Sequence, residues 1–183
     1  MRITILNGDP ESGSAFDTYV QRMAVCMADA GHDVTTFDLR SLDLKGCSGC
    51  LGCWVKTPGE CAKRDDSARI CRAAIQASLL VFASPVAMGF TSALLKGAVE
   101  QMIPLLHPFI VMEGGECHHR ARYAAYPALA LLLGPAADSD AEDLAITTAM
   151  WTRTARNLKT RLVQTAVADR TPSEVADAFV AAA

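Results

Sequence analysis

The chain has 183 residues, 51% of them hydrophobic and 20% charged, which excludes a disordered polymer and suits one globular domain over residues 1–183. A formal net charge of -3 excludes the basic footprint of a nucleic-acid binder. Met1–Leu6 turns polar at Asn7, too soon for a secretion signal, and Tyr123–Leu133 is broken by Pro127 and too short to span a bilayer. The expectation is a cytoplasmic protein without membrane contact, where clustered cysteines hold metal or do redox work more often than they form structural bridges.

In chain order, Ile3–Leu6 reads as a strand stopped by the turn Asn7-Gly8-Asp9-Pro10. Phe16, Val20, Met23, Ala24 and Met27 then share one helical face, with Ser14 and Asp17 as a capping pair and Gly31 closing the helix. Val34–Leu39 is a second strand leading into a cysteine loop at 45–63. Asp65 or Asp66 caps a helix with Ile70, Ala73, Ala74 and Ala77 inward, and Leu79–Ala83 is a strand apolar on both faces. Ser84–Thr91 reads as a loop before a helix carrying Leu94, Leu95, Ala98, Val99 and Met102. The segment from about 104 to 126 is longer than a connection needs and reads as an inserted loop or hairpin near the site. Ala128–Leu133 is a fourth strand, and the next helix bears Leu144, Thr148, Trp151, Ala155 and Leu158. Leu162–Ala168 is a weaker fifth strand, and Thr171-Pro172-Ser173-Glu174 opens a final capped helix.

Five alternations of strand and helix predict an α/β fold, a parallel sheet covered on both faces. Ligands of such sheets sit beyond the strand carboxyl ends, where strand order reverses. The loops Gly8–Ser14, Ser84–Thr91 and the turn at Gly134 should meet there. The first joins a strand to a helix N-terminus, a natural anion site. In the second, Pro85 stiffens the chain and Gly89 lets backbone approach a planar ligand.

Four of the seven cysteines, Cys47, Cys50, Cys53 and Cys61, crowd the 45–63 loop with the spacing C-x2-C-x2-C-x7-C among glycines. Four thiols there suit an iron–sulfur cluster, a zinc ion, a redox disulfide or reduced thiols alike. Cys26 and Cys71 read as helix packing residues. His118 and His119 are adjacent in an extended segment and point to opposite sides, which favours surface or dimer-contact roles over shared metal ligation.

Together these motifs resemble the flavodoxin-like NAD(P)H-dependent FMN reductase superfamily, and its iron–sulfur flavoprotein branch in particular. The resemblance runs from Met1 to about Leu133. It rests on the first strand–loop, on Ser84-Pro85-Val86 with Gly89, Ser92 and Leu95-Lys96, and on the cysteine loop. It implies a three-layer sandwich with a five-stranded parallel sheet in the order 2-1-3-4-5. It implies FMN, with Gly8, Asp9, Ser12 and Ser14 at the phosphate and Ser84, Pro85, Val86, Ala87, Met88, Gly89, Phe90, Thr91 and Gly134 at the ring. Cys47, Cys50, Cys53 and Cys61 match the ligands of a 4Fe–4S cluster. NAD(P)H as cosubstrate, a small-molecule or carrier-protein donor and acceptor, and a homodimer or homotetramer follow by likeness. The chain departs from the family pattern at Asp9 and Glu11, where serine and arginine are usual. Two other readings remain: a thiol-redox or zinc-stabilised protein without flavin, and a cofactor-less binding module on the same scaffold.

Overall fold

The computed structural model describes all 183 residues. The chain runs β1 (Arg2–Asn7), α1 (Ala15–Asp29), β2 (Asp33–Asp38), α2 (Gly52–Val55), α3 (Ser67–Gln76), β3 (Leu79–Ala87), β4 (Phe90–Thr91) and α4 (Ala93–Glu100). It continues through β5 (Leu106–Glu113), β6 (Glu116–Ala121), β7 (Ala128–Gly134), α5 (Ala141–Asn157), β8 (Leu162–Val167) and α6 (Pro172–Ala182). The parallel strands lie in the order β2-β1-β3-β7-β8. Counting parallel strands alone, that is the expected 2-1-3-4-5, and the fold is flavodoxin-like.

Period-two alternation along the three central strands divides the core into two layers. Ile3, Ile5, Leu79, Val81, Ala83, Ala130 and Leu132 face Val20, Met23 and Met27 of α1 and Val175, Ala176 and Phe179 of α6. Leu6, Leu80, Phe82, Leu129, Leu131 and Leu133 face α3, α4 and α5 through Ile70, Ala74, Leu95, Ala98, Trp151 and Ala155. Strands buried on both sides must be apolar throughout, which explains why Leu79–Ala83 lacks a polar face. No helix is long and apolar enough to cross a membrane.

The caps follow side-chain chemistry. Ser14 Oγ accepts the Asp17 amide at 2.9 Å, and Gly31 leaves α1 at φ +85°. Thr171 and Glu174 close a reciprocal capping box on α6. Asp65 rather than Asp66 takes the Ser67 amide at the start of α3, at 3.0 Å.

Three segments differ from the sequence expectation. Strand β3 continues past Ala83 to Ala87, so 84–91 is no open loop but a hairpin, pairing Val86 with Thr91 and Ala87 with Phe90. Its two turn residues, Met88 and Gly89, have φ +51° and +73°, the primed-turn geometry that matches strand twist. The cysteine loop contains the short helix α2. The 104–126 insert is the antiparallel hairpin β5–β6, whose turn is Gly114-Gly115.

Asp17 is fully buried on α1, yet it is polar and charged. It accepts from the Gly13 amide at 2.8 Å, Asn7 Nδ2 at 2.7 Å and both Arg40 Nη atoms at 3.0 and 3.1 Å. Burial alone would raise its pKa, but these donors outweigh burial and hold the carboxyl below its ordinary 3.8. A depressed folded-state value means the stabilisation is complete above pH 3.8 and is lost as pH falls through the lower folded value. Asp17→Asn is therefore expected to cost about 3 kcal/mol in urea unfolding at pH 7, since it leaves Arg40 only the longer pair to Asp38, and the difference from wild type should shrink below pH 3.8. A gap that stays constant down to pH 2.5 would contradict this account.

Candidate redox site

The β1–α1 turn carries Gly8, Asp9, Ser12 and Ser14 to the carboxyl end of the sheet. Gly8 has no room for a side chain, because a Cβ there would lie 2.7 Å from Leu95 Cβ. Its amide donates to Ala83 O at 2.8 Å, and its carbonyl accepts the Ser92 hydroxyl at 2.6 Å. Ser84, fully buried, accepts the Ser92 amide at 2.8 Å and donates to Pro85 O. Gly8 and Ser84 thus fasten the start of α4 to the first strand, and neither hydroxyl in this chain of bonds is left over.

Asp9, 3% exposed, turns both carboxylate oxygens inward. Oδ1 accepts the Glu11 amide at 2.9 Å, and Oδ2 accepts the Ser14 hydroxyl. Asp17 takes the Gly13 amide. Three donors that would greet an anion, the Glu11 and Gly13 amides and the Ser14 hydroxyl, are thus already spent on the chain's own carboxylates. The single guanidinium of Arg40 donates to the Asp9 backbone carbonyl and pairs with the carboxylates of Asp17 and Asp38. Ser12 stands exposed, and the amides of Ala15 and Phe16 in the first turn of α1 have no intrahelical partner. At the ring position, Gly134 ends β7 opposite Pro85, and the Phe16 ring fills the space a Cβ on Gly134 would need. The Asp9 carboxylate occupies the turn where the resemblance puts the FMN phosphate. A carboxylate about 5 Å away opposes each phosphate charge by about 3 kcal/mol at an effective dielectric of ~20.

The β3–β4 hairpin projects from the same end. Val86 and Thr91 are buried, Pro85 and Phe90 half-buried, and Ala87 and Met88 exposed. Thr147 of α5 donates to Gly89 O at 3.2 Å and docks the tip. Met88 is fully exposed in the left-handed region, a strained placement for a non-glycine residue.

All four cysteines of the 45–63 loop line one cavity of about 600 Å³, enclosed by that loop, α4, the start of β5 and α5. Of the residues expected at the flavin, only Phe90 reaches this cavity. Cys47 and Cys50 are exposed, Cys61 half-buried, and Cys53 buried at 7% exposure. The Gly52 amide, the Ser48 hydroxyl and Lys63 lower the Cys50 value, whereas burial and the neighbouring thiols raise that of Cys53. A lowered thiol value at Cys50 beside a raised one at Cys53 is the kind of asymmetry that thiol–disulfide exchange uses. The sulfurs are not drawn together as a metal site: no group of three or more His, Cys, Asp or Glu side chains is placed to hold an ion. Leu51, between Cys50 and Gly52, adopts φ +57° while half-exposed, so this wall too is strained. Cys71 lies in the core, its thiol pushed up to about 12 by burial and donating to Gln101 O at 3.5 Å, a packing residue as expected.

The β5–β6 hairpin closes the cavity. Trp54 Nε1 donates to Leu106 O at 3.0 Å, and Arg122 donates to Pro104 O at 2.9 Å and Leu106 O at 3.1 Å. His119 packs on Trp54 with ring centroids 4.7 Å apart. His118 points the other way, as alternation requires, but it is buried rather than on the surface: its ring nitrogens meet Asn157 Oδ1 at 3.2 Å and Glu116 at 3.1 Å. Strand β6 lies against α5, and this inward face was invisible in the sequence. Gln101, Trp151 and Asn157 also line the cavity and were not foreseen; Gln101 follows the last residue of α4, and Trp151 read as part of an apolar helix face.

A flavodoxin-like sheet with a thiol-lined cavity at its carboxyl end defines a class of redox scaffold. Residues 1–142 match the NADPH-dependent FMN reductase family, and the chain belongs to that family of oxidoreductases. Two proteins of Archaeoglobus fulgidus named iron-sulfur flavoprotein are similar to it. One is 22% identical over 101 residues, covering 55% of this chain and 48% of the relative; the other is 30% identical over 81 residues, covering 44% and 36%. The matched segments thus span about half or less of those relatives. Among solved structures, the NAD(P)H:quinone oxidoreductase from Methanothermobacter marburgensis superposes with TM-score 0.68 at 16% identity, covering 100% of this chain and 95% of that one. The FMN-dependent NADH-azoreductase from Bacillus anthracis, in complex with FMN, gives 0.65 at 12% identity, covering 100% and 96%. These likenesses establish the fold.

Asp9→Asn removes the opposing charge and keeps an acceptor for the Glu11 amide. FMN titrated into this variant, followed by quenching of flavin fluorescence, is expected to bind at least about tenfold more tightly than to wild type. Equal affinities would show that Asp9 does not oppose the phosphate.

Proposed function

We propose that the protein is an FMN-dependent oxidoreductase that receives electrons from NAD(P)H or a reduced carrier and passes them to an acceptor beside the cysteine loop. The family match over residues 1–142 carries this reading. The iron-sulfur flavoprotein relatives and the quinone- and azo-reducing neighbours support it. Bound flavin supplies hydride and single-electron chemistry that no side chain offers. On this reading Ser12, Ser14 and the first amides of α1 would hold the phosphate once Asp9 turned away from the Ser14 hydroxyl. The β3–β4 hairpin, from Pro85 to Thr91, borders the ring.

Cys47, Cys50, Cys53 and Cys61 supply the donor set of a 4Fe–4S cluster, and their shared cavity wall supports that assignment. Gly46, Gly49 and Gly59 have positive φ, and beside Gly46 and Gly49 nothing crowds the backbone, which lets the loop gather its sulfurs. The lowered Cys50 beside the raised Cys53 favours a second reading, thiol–disulfide exchange without iron. Exposed Phe109, Ile110 and Met112 on the β5–β6 hairpin support assembly with a second copy.

Anaerobic purification, addition of FMN, and reconstitution with iron and sulfide separate these readings. Flavin absorbance with NAD(P)H oxidation is expected, and about four irons per chain if the cluster forms. A protein that stays colourless and leaves NAD(P)H untouched would reject the flavin reading. Activity that needs no iron and vanishes on thiol alkylation would favour the second.

A further inference from the structure

Cys61 and Pro104 line not only the cavity already described but also a second one, of about 360 Å³. Two arginines line this second cavity, Arg72 of α3 and Arg122 just past β6. Arg122 is half-buried, and its Nε and Nη2 donate to Pro104 O at 2.9 Å and Leu106 O at 3.1 Å. Those acceptors are neutral carbonyls, so the charge is anchored but not cancelled. A guanidinium has N–H groups beyond these two, and Nη1 carries a pair of them. That atom lies beside Gly59, 3.8 Å from where a Cβ on Gly59 would stand. None of the molecule's ion pairs involves Arg122 or the exposed Arg72. His107 registers the uncancelled charge: loss of solvent first, then Arg122 and Arg120, hold it below its ordinary 6.5. Glu60, exposed, is the one carboxylate in the lining, and it pairs with neither arginine. On a chain of net charge -3, this wall is net positive. A partly buried cation without a counter-ion is costly to the fold and attracts an anion.

Two cysteines share the cavity with these arginines. Cys71 is buried and its thiol is pushed up to about 12, so it stays protonated and inert. Cys61 is half-buried and lines both cavities. We propose that the second cavity binds small disulfides that bear carboxylates, with Arg122 and Arg72 taking the carboxylate and Cys61 exchanging with the sulfur. Guanidinium donors match the two oxygens of a carboxylate, and the volume suits a small molecule. In the exchange, the Cys61 sulfur bonds to one sulfur of the disulfide as the ligand's own S–S bond breaks. The thiol proton passes to water and the other half leaves as a thiolate, so one disulfide replaces another and no further oxidant is needed. The product is Cys61 capped by a carboxylate-bearing thiol. Capping withdraws one of the four sulfurs of the 45–63 loop, so this cavity governs whether the loop can offer its complete donor set. The flavin loops take no part: neither Gly134 nor any residue of Gly8–Ser14 lines the cavity.

The test uses the full chain without flavin or iron, so failure of the oxidoreductase reading leaves the result intact. Dithiodiglycolate and its neutral diamide are each added below stoichiometry, the reaction is stopped with acid, and the adducts are mapped by peptide mass spectrometry. Iodoacetate and iodoacetamide, the same contrast of charge in reagents that cannot exchange, are run in parallel. Cys117, exposed and outside this cavity, is the internal reference. In wild type the ratio of Cys61 to Cys117 modification is expected to be about fivefold higher with each acid than with its amide, and to even out in strong salt. Arg72 is exposed and has no ion-pair partner to lose, so Arg72→Glu should abolish or reverse the preference. If Arg72→Glu does not fold, Arg72→Gln should still lower it. Equal ratios for acid and amide in wild type, absence of a mixed disulfide on Cys61, or an undiminished preference in either folded variant would overturn the assignment.

Discussion

At the carboxyl end of β1, two buried carboxylates and one guanidinium decide what the strand mouth can accept. Asp17 gathers Asn7, Gly13 and Arg40 about itself, and Asp9 gathers Glu11 and Ser14. Each carboxylate does for its loop what a bound anion would do: it satisfies amides and hydroxyls that point inward. The inward-pointing donors of the loop are consequently satisfied without a ligand. A scaffold that needs its anion to order the turn would be loose when empty; this one carries the anion in its own sequence, and an incoming phosphate must compete with a covalently attached rival.

That arrangement separates two halves of the sheet's carboxyl end. Over β1 the field is negative, with Asp9, Asp17 and Asp38 against Arg40. Beside α4 and α5 the surface is apolar, with sulfur along one wall and the charged side chains of Lys63, Lys96 and Glu100 already engaged. The β5–β6 hairpin borders this space at Leu106, whose carbonyl takes Trp54 Nε1 of the cysteine loop and the Arg122 guanidinium. The strained residues, Leu51 and Met88, border this end of the molecule, and such strain persists only where the surrounding structure enforces it.

The layers and strand order were legible because periodicity, caps and turns agree with one another. Val20, Met23 and Met27 mark a helix face, Leu79–Ala83 a doubly covered strand, and Thr171 to Glu174 a capping box. The continuation of β3 to Ala87 was not legible. Pro85 and Gly89 suggest a loop, whereas the two positive φ angles that make the hairpin belong to Met88 and Gly89, and methionine gives no turn signal. The chemistry of Cys47 to Cys61 could be read from spacing, but the partners across the cavity could not. Gln101 and Trp151 belong to helical stripes that look like ordinary core, and only the tertiary structure shows that their polar atoms end without partners. His118 was misjudged for the same reason, since the burial of β6 depends on α5, which is far away in sequence.

Family membership and local chemistry pull in different directions at Asp9, and that tension is informative. If the strand mouth served only to hold a phosphate, a serine at position 9 would cap the turn as well and oppose nothing. A carboxylate stabilises the empty loop and at the same time weakens anion binding, so loop order and ligand affinity are coupled through one side chain. Any ligand whose binding energy comes from its ring rather than its tail escapes that competition.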